Sequence, residues 1–417
     1  MTVLIAGAGI GGLSLGLTLH RLGIPFRIFE AVRQLAPLGL GINLQPHAVR
    51  ELVEMGFGPG LDKIGLRTGQ VGYYNDYGQE IWTEPRGAAA GYNWPQFSIH
   101  RGELQMMLFR AVVSRAGPKV LRCGLALDGW EETQEGVRIR LRERDSGKPA
   151  GTADGTLLVA ADGINSAARA RLFPDEGPAQ WGGTVMWRGV TEGPRFLGGR
   201  TMAMAGTKAR KFVCYPIADL GADRSLINWI ADLGKPEDYL WARQDWTREG
   251  RRADFADEFA DWHFPWLDIP KVIADASEIW EYPMVDREPL PRWRHGPVTL
   301  LGDAAHAMYP IGSNGASQAI LDARYLGRAL RDHGVGTAAL DAYEDERREA
   351  MNALVLTNRG DGPDKILDIV HDRAPEGFDD IETVMPLAER RAFAEGYKKI
   401  AGMEITALNA RPPVLAG

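Results

Sequence analysis

Four apolar residues, Val3–Ala6, run into glycines at 7, 9, 11 and 12, and an apolar stretch with helical spacing follows to Leu22. A second short apolar run, Phe26–Glu30, closes on an acid. This succession predicts a buried strand, a helix over Gly11–Leu22 and a second strand, together a βαβ unit over 2–30. A glycine-rich loop at Leu38–Asn43 then precedes an amphipathic helix from Pro46 to Met55. Strands and turns occupy 68–98, and His100–Glu103 opens a helix reaching Arg115. Strands resume at Val120–Leu125, Gly136–Arg142 and Thr156–Ala160.

Residues 180–290 have another texture. They hold most of the chain's tryptophans, and runs at Gly183–Val190, Phe212–Ile217 and Ser225–Asp232 predict an antiparallel sheet with an aromatic-rich face. A helical stretch at Asp254–Trp262 interrupts them. Val298 restores the apolar-strand pattern of the N-terminus, and helices dominate from Ser317 onward. The predicted fold class is α/β. A Rossmann-like dinucleotide-binding domain comes in two parts, 1–179 and 291–360, with an inserted antiparallel β-sheet domain for substrate at 180–290. Residues 361–417 form a C-terminal helical segment, of which Arg411–Gly417 are expected to lie loose.

Two turns carry the chemistry. In Gly7-Ala8-Gly9-Ile10-Gly11-Gly12, Gly7 permits a tight turn, Gly9 admits a pyrophosphate to the backbone, and Gly12 lets helix and strand pack closely. The helix N-terminus offers N–H groups to the phosphates, and Glu30, 18 residues past Gly12, is placed to accept from a ribose. By itself this turn serves NAD as well as FAD. The second turn, Gly302-Asp303 after an apolar strand, lies nearly 300 residues away. Its acid suits a hydroxyl-rich chain such as a ribityl group. The following Pro310, Ile311, Gly312, Ser313, Asn314, Gly315 and Ala316 open a helix with backbone N–H groups that favour negative charge. A reduced flavin carries that charge, so the pair of turns points to FAD.

Asp162-Gly163 closes a third buried strand, where the acid either anchors a loop or meets the ligand. Arg101, at the mouth of a helix, is either solvated or a ligand contact. His100 and His306 read as capping or packed histidines, and no Ser–His–Asp or Cys–His constellation stands out.

Net charge of −7 argues against a nucleic-acid surface or a polybasic membrane patch. Fifty glycines in 417 residues exceed the average of roughly 7% and fit a chain with many tight turns. Two cysteines, Cys123 and Cys214, make no disulfide framework, and no Cys/His cluster has metal-ligand spacing. With neither a signal peptide nor an apolar run of about 18 residues, the expectation is a cytoplasmic protein off the membrane, monomeric or homodimeric.

Gly7-x-Gly9-x-x-Gly12, Asp162-Gly163-x-x-Ser166-x-x-Arg169 and Gly302-Asp303-Ala304-Ala305-His306 together resemble the group A, single-component FAD-dependent aromatic monooxygenases. Within that family Pro37–Asn43, Ile99–Met106, Met186–Glu192 and Tyr282–Arg287 are most similar to the branch acting on phenazine carboxylates. The likeness covers roughly residues 1–360, and Thr207–Lys211 departs from it.

The resemblance implies Glu30 on the adenosine ribose, Arg101 at the middle of FAD, Asp303 on the ribityl chain and the Pro310 loop against the flavin ring. Ala31, Gly41, Ile42 and Leu125 complete the implied cofactor contacts, and Asp162-Gly163 is linked to NAD(P)H. It further implies NADH or NADPH as reductant and dioxygen as co-substrate. One oxygen atom would pass through a flavin C4a-hydroperoxide to an aromatic or N-heteroaromatic ring bearing a carboxylate or hydroxyl. Tyr215 and Pro310 are then the candidates beside the reacting ring, and Arg188, Tyr215 and Trp229 the substrate contacts, with plain packing the other role open to each. A flavin-dependent halogenase or dehydrogenase is the alternative, although the halogenase Trp-x-Trp-x-Ile-Pro motif is absent. An FAD redox sensor is another.

Overall fold

The computed structural model describes residues 1–37, 40–236, 238–239 and 248–416; Leu38 and Gly39 of the glycine-rich loop lie outside them. Val3–Ala6, Ile10–Arg21 and Phe26–Glu30 form the expected strand, helix and strand. Every residue of the first strand is buried, as a parallel strand covered on both faces requires. It belongs to a six-stranded sheet ordered Arg294–His295, Val298–Leu300, Leu157–Ala160, Val3–Ala6, Phe26–Glu30, Leu121–Cys123. All neighbours are parallel except the first pair.

The register sets Ala6 opposite Ala160 and Ala160 opposite Leu300. The three turns noted in the sequence therefore leave from one edge, at the carboxyl ends of adjacent parallel strands, where open α/β sheets hold ligands. The helix Gly315–His333 follows the third turn and packs against Ile10–Arg21 and Thr337–Arg359.

A second, seven-stranded sheet is ordered Ile279–Asp286, Gln180–Pro194, Arg224–Gly234, Arg210–Gly221, Thr201–Gly206, Gln70–Tyr74, Glu80–Pro85. It is antiparallel except where Thr201–Gly206 runs parallel to Gln70–Tyr74. Two of its strands thus come from residues 70–85, outside 180–290. Strand alternation sends Phe212, Trp187 and Trp229 to one face, where Phe255, Phe259 and Trp262 close over them. Trp187 stacks on Phe255 with ring centroids 5.0 Å apart. Val213, Tyr215, Met204 and Tyr73 occupy the other face.

Two expectations are corrected. Asp254–Trp262 is not one helix but includes two 3-10 turns, Arg252–Asp254 and Ala256–Phe259, because its aromatics plug the back of the sheet instead of sharing one helical stripe. Gly417 lies outside the described residues, but the tail before it is not loose: Val414 and Leu415 are buried, and the Val414 N–H donates to the Glu51 carboxylate. Glu51 is itself buried between Arg50 and Arg324, so its oxygens need donors and the tail supplies one. No helix among the described residues is long and apolar enough to cross a membrane.

Candidate active site

A cleft of about 780 Å³ runs from the glycine-rich turn to the inner face of the seven-stranded sheet. Gly7 has φ +102°, and a Cβ there would strike the Ala161 carbonyl. At Gly12 it would strike the Gly7 carbonyl oxygen. The protein's own packing demands these two glycines. Gly9 differs: its φ is −70°, and a Cβ would meet no protein atom within 4 Å, since it points into the cleft. That gap at a helix N-terminus fits the pyrophosphate of a dinucleotide.

Glu30 accepts hydrogen bonds from the N–H groups of Ala8 (2.6 Å) and Val32 (2.8 Å), and so braces the turn from outside the cleft lining. Ala31 also stands outside that lining. Leu125, which begins the strand Leu125–Thr133 with its side chain buried in the core, stands outside that lining as well.

Gly41, Ile42, Arg101, Asp162, Gly163 and Asp303 all line this one cleft, although they lie up to 262 residues apart in sequence. Arg101 and Asp303 are exposed to it. Asp162 accepts from the Ala167 N–H at 2.9 Å, and burial pushes its carboxyl above the ordinary range against the pull of Ser166 and these backbone donors. Its second oxygen is buried without a partner among the described residues. Arg169, four residues into the same motif from Asn165, donates to the carbonyls of Ala304 (3.2 Å) and Ala305 (2.8 Å) while paired with Glu176. The second motif is therefore the clamp that holds the third.

Pro310, Gly312, Ser313, Asn314, Gly315 and Ala316 all line the cleft. Gly312 (φ +70°) and Ser313 (φ +55°) are left-handed, the second a conformation that a non-glycine residue holds only when its surroundings impose it. Asn314 Nδ2 donates to the Gly312 carbonyl (3.0 Å) and to the Tyr397 hydroxyl (2.8 Å), while Asn314 Oδ1 is buried without a partner. The open gap at Gly9, the spare oxygens of Asp162 and Asn314 and the free carboxylate of Asp303 fit a ligand with phosphates at one end and hydrogen-bond donors at the other, as FAD has.

On the sheet side, Arg188 and Tyr215 face the cleft. Burial pushes the Tyr215 phenol up to about 12, a rise restrained by the Arg188 guanidinium hydrogen-bonded to it. Arg188 Nη2 also donates to the Gly41 carbonyl (3.0 Å), and Asn228 Oδ1 accepts from the Gly41 N–H (2.6 Å), so the sheet grips the cofactor loop by both its backbone groups. Trp229 is corrected: alternation turns it away from the cleft, fully buried on the opposite face, where its Nε1 donates to Thr191 Oγ1 at 2.9 Å. Its neighbour Ile230 lines the cleft instead.

A family model described as the FAD binding domain matches residues 1–358. Phenazine 1,6-dicarboxylic acid hydroxylase PhzS of Lysobacter antibioticus is 45% identical over 361 residues, 86% of this chain and 89% of that protein. The chain belongs to the FAD-dependent aromatic hydroxylases. Aurachin C monooxygenase/isomerase of Stigmatella aurantiaca is 33% identical over 85% of this chain and 87% of its own length. Among solved structures, Klebsiella pneumoniae HpxO complexed with FAD and uric acid superposes with a TM-score of 0.73 at 26% identity, covering 99% of this chain and 97% of that one. The hydroxylase is thus a flavoprotein monooxygenase that takes FAD and draws electrons from NAD(P)H.

Sequence reasoning passed over several residues of this hydroxylase's cleft: Lys211, Asp232, Asp364 and Tyr397. Asp232 was within reach, because it shares the period-2 face of Ile230. Asp364 and Tyr397 come from the C-terminal segment and meet the cleft only through packing.

Proposed function

We propose that this hydroxylase uses NAD(P)H and dioxygen, in the cytoplasm, to place one oxygen atom on an aromatic or N-heteroaromatic ring that bears a carboxylate or hydroxyl. The observation that carries the reading is the Arg188–Tyr215 pair on the cleft face of the sheet, in the same cleft that the Pro310 loop lines. Gly9–Gly11 and Asp303 would hold the pyrophosphate and ribityl parts of FAD, Arg101 its middle, and 310–316 its ring. Bound FAD, once reduced, supplies the oxygen-transferring chemistry.

The chain's own side chains do the rest. Arg188 binds and orients the substrate anion. Tyr215, a phenol that is neutral at physiological pH and that burial makes still harder to ionise, keeps its proton and donates it as a hydrogen bond to the substrate oxygen. Met204, Val213 and Ile230 exclude water from the ring. The helix N-terminus at Gly315 favours negative charge beside the 310–316 loop.

The test is turnover of the FAD-loaded protein with a panel of heteroaromatic and phenolic carboxylates under labelled dioxygen. One labelled atom in the product, with NAD(P)H consumed, is expected. Reduction of a dye acceptor without label in any product would sink the reading. Asp303→Ala should purify largely without FAD, and a fully yellow Asp303→Ala protein would remove that residue from the cofactor contacts.

A further inference from the structure

The cleft face of the seven-stranded sheet has two polar ends. Lys211 sits opposite Asp232 and Tyr215 opposite Asn228 in one strand pair, so the ends are four residues, about 13 Å, apart. Val213 and Ile230, also opposite one another, form the apolar stretch between them. At the Tyr215 end the unengaged polar atoms are donors, Arg188 Nε and Asn228 Nδ2, both buried without a partner among the described residues.

At the other end the unengaged atoms are acceptors. The Lys211 ammonium is taken up by Asp364 (2.6 Å) and Asp232 (3.4 Å), whose side chains are only 9% and 5% exposed. Oδ1 of each aspartate remains buried with no partner among the described residues. All three residues line both the main cleft and a smaller adjoining cavity of about 280 Å³. Two carboxylates facing one ammonium leave a net negative charge there. Such a wall repels a second anion, and its bare oxygens carry a desolvation cost that a bound donor would remove.

We propose that Asp232 and Asp364, held by Lys211, are the acceptor end of the substrate site, and that the ligand is correspondingly two-ended. Its anionic group lies at Arg188 and Tyr215, its fused ring covers Val213 and Ile230, and an N–H or O–H group donates to the aspartates. This rests on the aromatic-carboxylate reading above and adds which second substituent is selected. Burial also raises the Asp232 carboxyl above its ordinary range, against the pull of Lys211, which strengthens it as an acceptor.

The matched probes are 6-hydroxy-, 6-amino- and 6-methoxy-2-naphthoate, titrated into the FAD-loaded protein and followed by the flavin absorption spectrum. The hydroxy and amino probes are expected to bind about 5- to 150-fold more tightly than the methoxy probe, the span of one buried unsatisfied polar group. Asp232→Asn and Asp364→Asn should each shrink that ratio, because each replaces an acceptor-only carboxylate with an amide that can also donate to the methoxy oxygen, a shift in selectivity that a merely structural role would not give. Two variants are used because Asp232→Asn removes one of the two charges facing Lys211, and bound FAD reports that each has folded.

A ratio near one in the native protein, a ratio unchanged in both variants, or no binding of any probe by FAD-loaded protein would each overturn the proposal. A flat ratio in a protein that still incorporates labelled oxygen sinks only the acceptor end. Absence of labelled product sinks the reaction itself.

Discussion

His306 Nε2 lies 2.5 Å from Asp322 Oδ2, with both side chains fully buried behind the turn that carries Asp303. The same Asp322 oxygen accepts from the Gly302 N–H at 3.1 Å, and the other accepts from Arg347 Nε at 2.8 Å. Burial opposes the carboxylate charge, but His306 and Arg347 outweigh it and hold Asp322 at about 2. An ionised acid on the helix Gly315–His333 thus fixes the third turn in place.

Asp322→Ala would leave Arg347 buried without that partner, and unfolding in urea should show a loss of about 3–5 kcal/mol. Because the folded value lies below the unfolded value of 3.8, this stabilisation is complete above that pH and is lost as pH falls toward 2. A variant as stable as the native protein would refute the clamp.

The two glycines of the first turn should behave oppositely. Gly12→Ala drives a methyl group into the Gly7 carbonyl and should yield unstable or insoluble protein. Gly9→Ala meets no protein atom, so a folded protein with about tenfold or weaker FAD affinity is expected, as its methyl occupies the place of a phosphate contact. Thermal melting and FAD titration together separate the two outcomes.

His47 should make stability fall in mild acid. Burial, then the charges of Arg347 and Arg50, push it down to about 3, so the folded protein keeps it neutral. The unfolded chain takes up the proton below about 6.5, so this contribution is complete above that pH. It is lost as pH falls toward 3, at up to about 1.4 kcal/mol per unit. His47→Gln should flatten the slope between pH 6.5 and 4.5 by about one proton, and an unchanged slope would show that another group governs it.

Trp229→Phe removes the hydrogen bond to Thr191 and part of a packed ring, so a loss of about 1–3 kcal/mol is expected with probe affinities unchanged. Weakened binding at unchanged stability would return Trp229 to the cleft.

What could be read along the chain was whatever a local run of residues specifies. Gly7–Gly12, Asp162-Gly163 and Gly302-Asp303 each sit where an apolar strand stops, and parallel pairing of those strands is enough to gather them. Trp229 shows where local reading ends. It and Ile230 are adjacent and both apolar, and only the pairing of Arg224–Gly234 with its neighbours decides which one faces the cleft. Lys211 and Asp364, 153 residues apart, meet through packing of the C-terminal segment, which no local pattern announces. The strands at 70–85 were foreseen as strands, but their partner at Thr201–Gly206 lies more than a hundred residues further on.

That parallel junction between Gln70–Tyr74 and Thr201–Gly206 bears on protein engineering. A chimera that exchanges residues 180–290 with a relative, in the hope of transplanting its selectivity, would leave Gln70–Tyr74, and through it Glu80–Pro85, joined to a foreign edge strand. Val71 and Tyr73 lie on the cleft wall, so the graft would also mix two parents within one binding surface. A coherent exchange has to carry 70–85 along with the later strands.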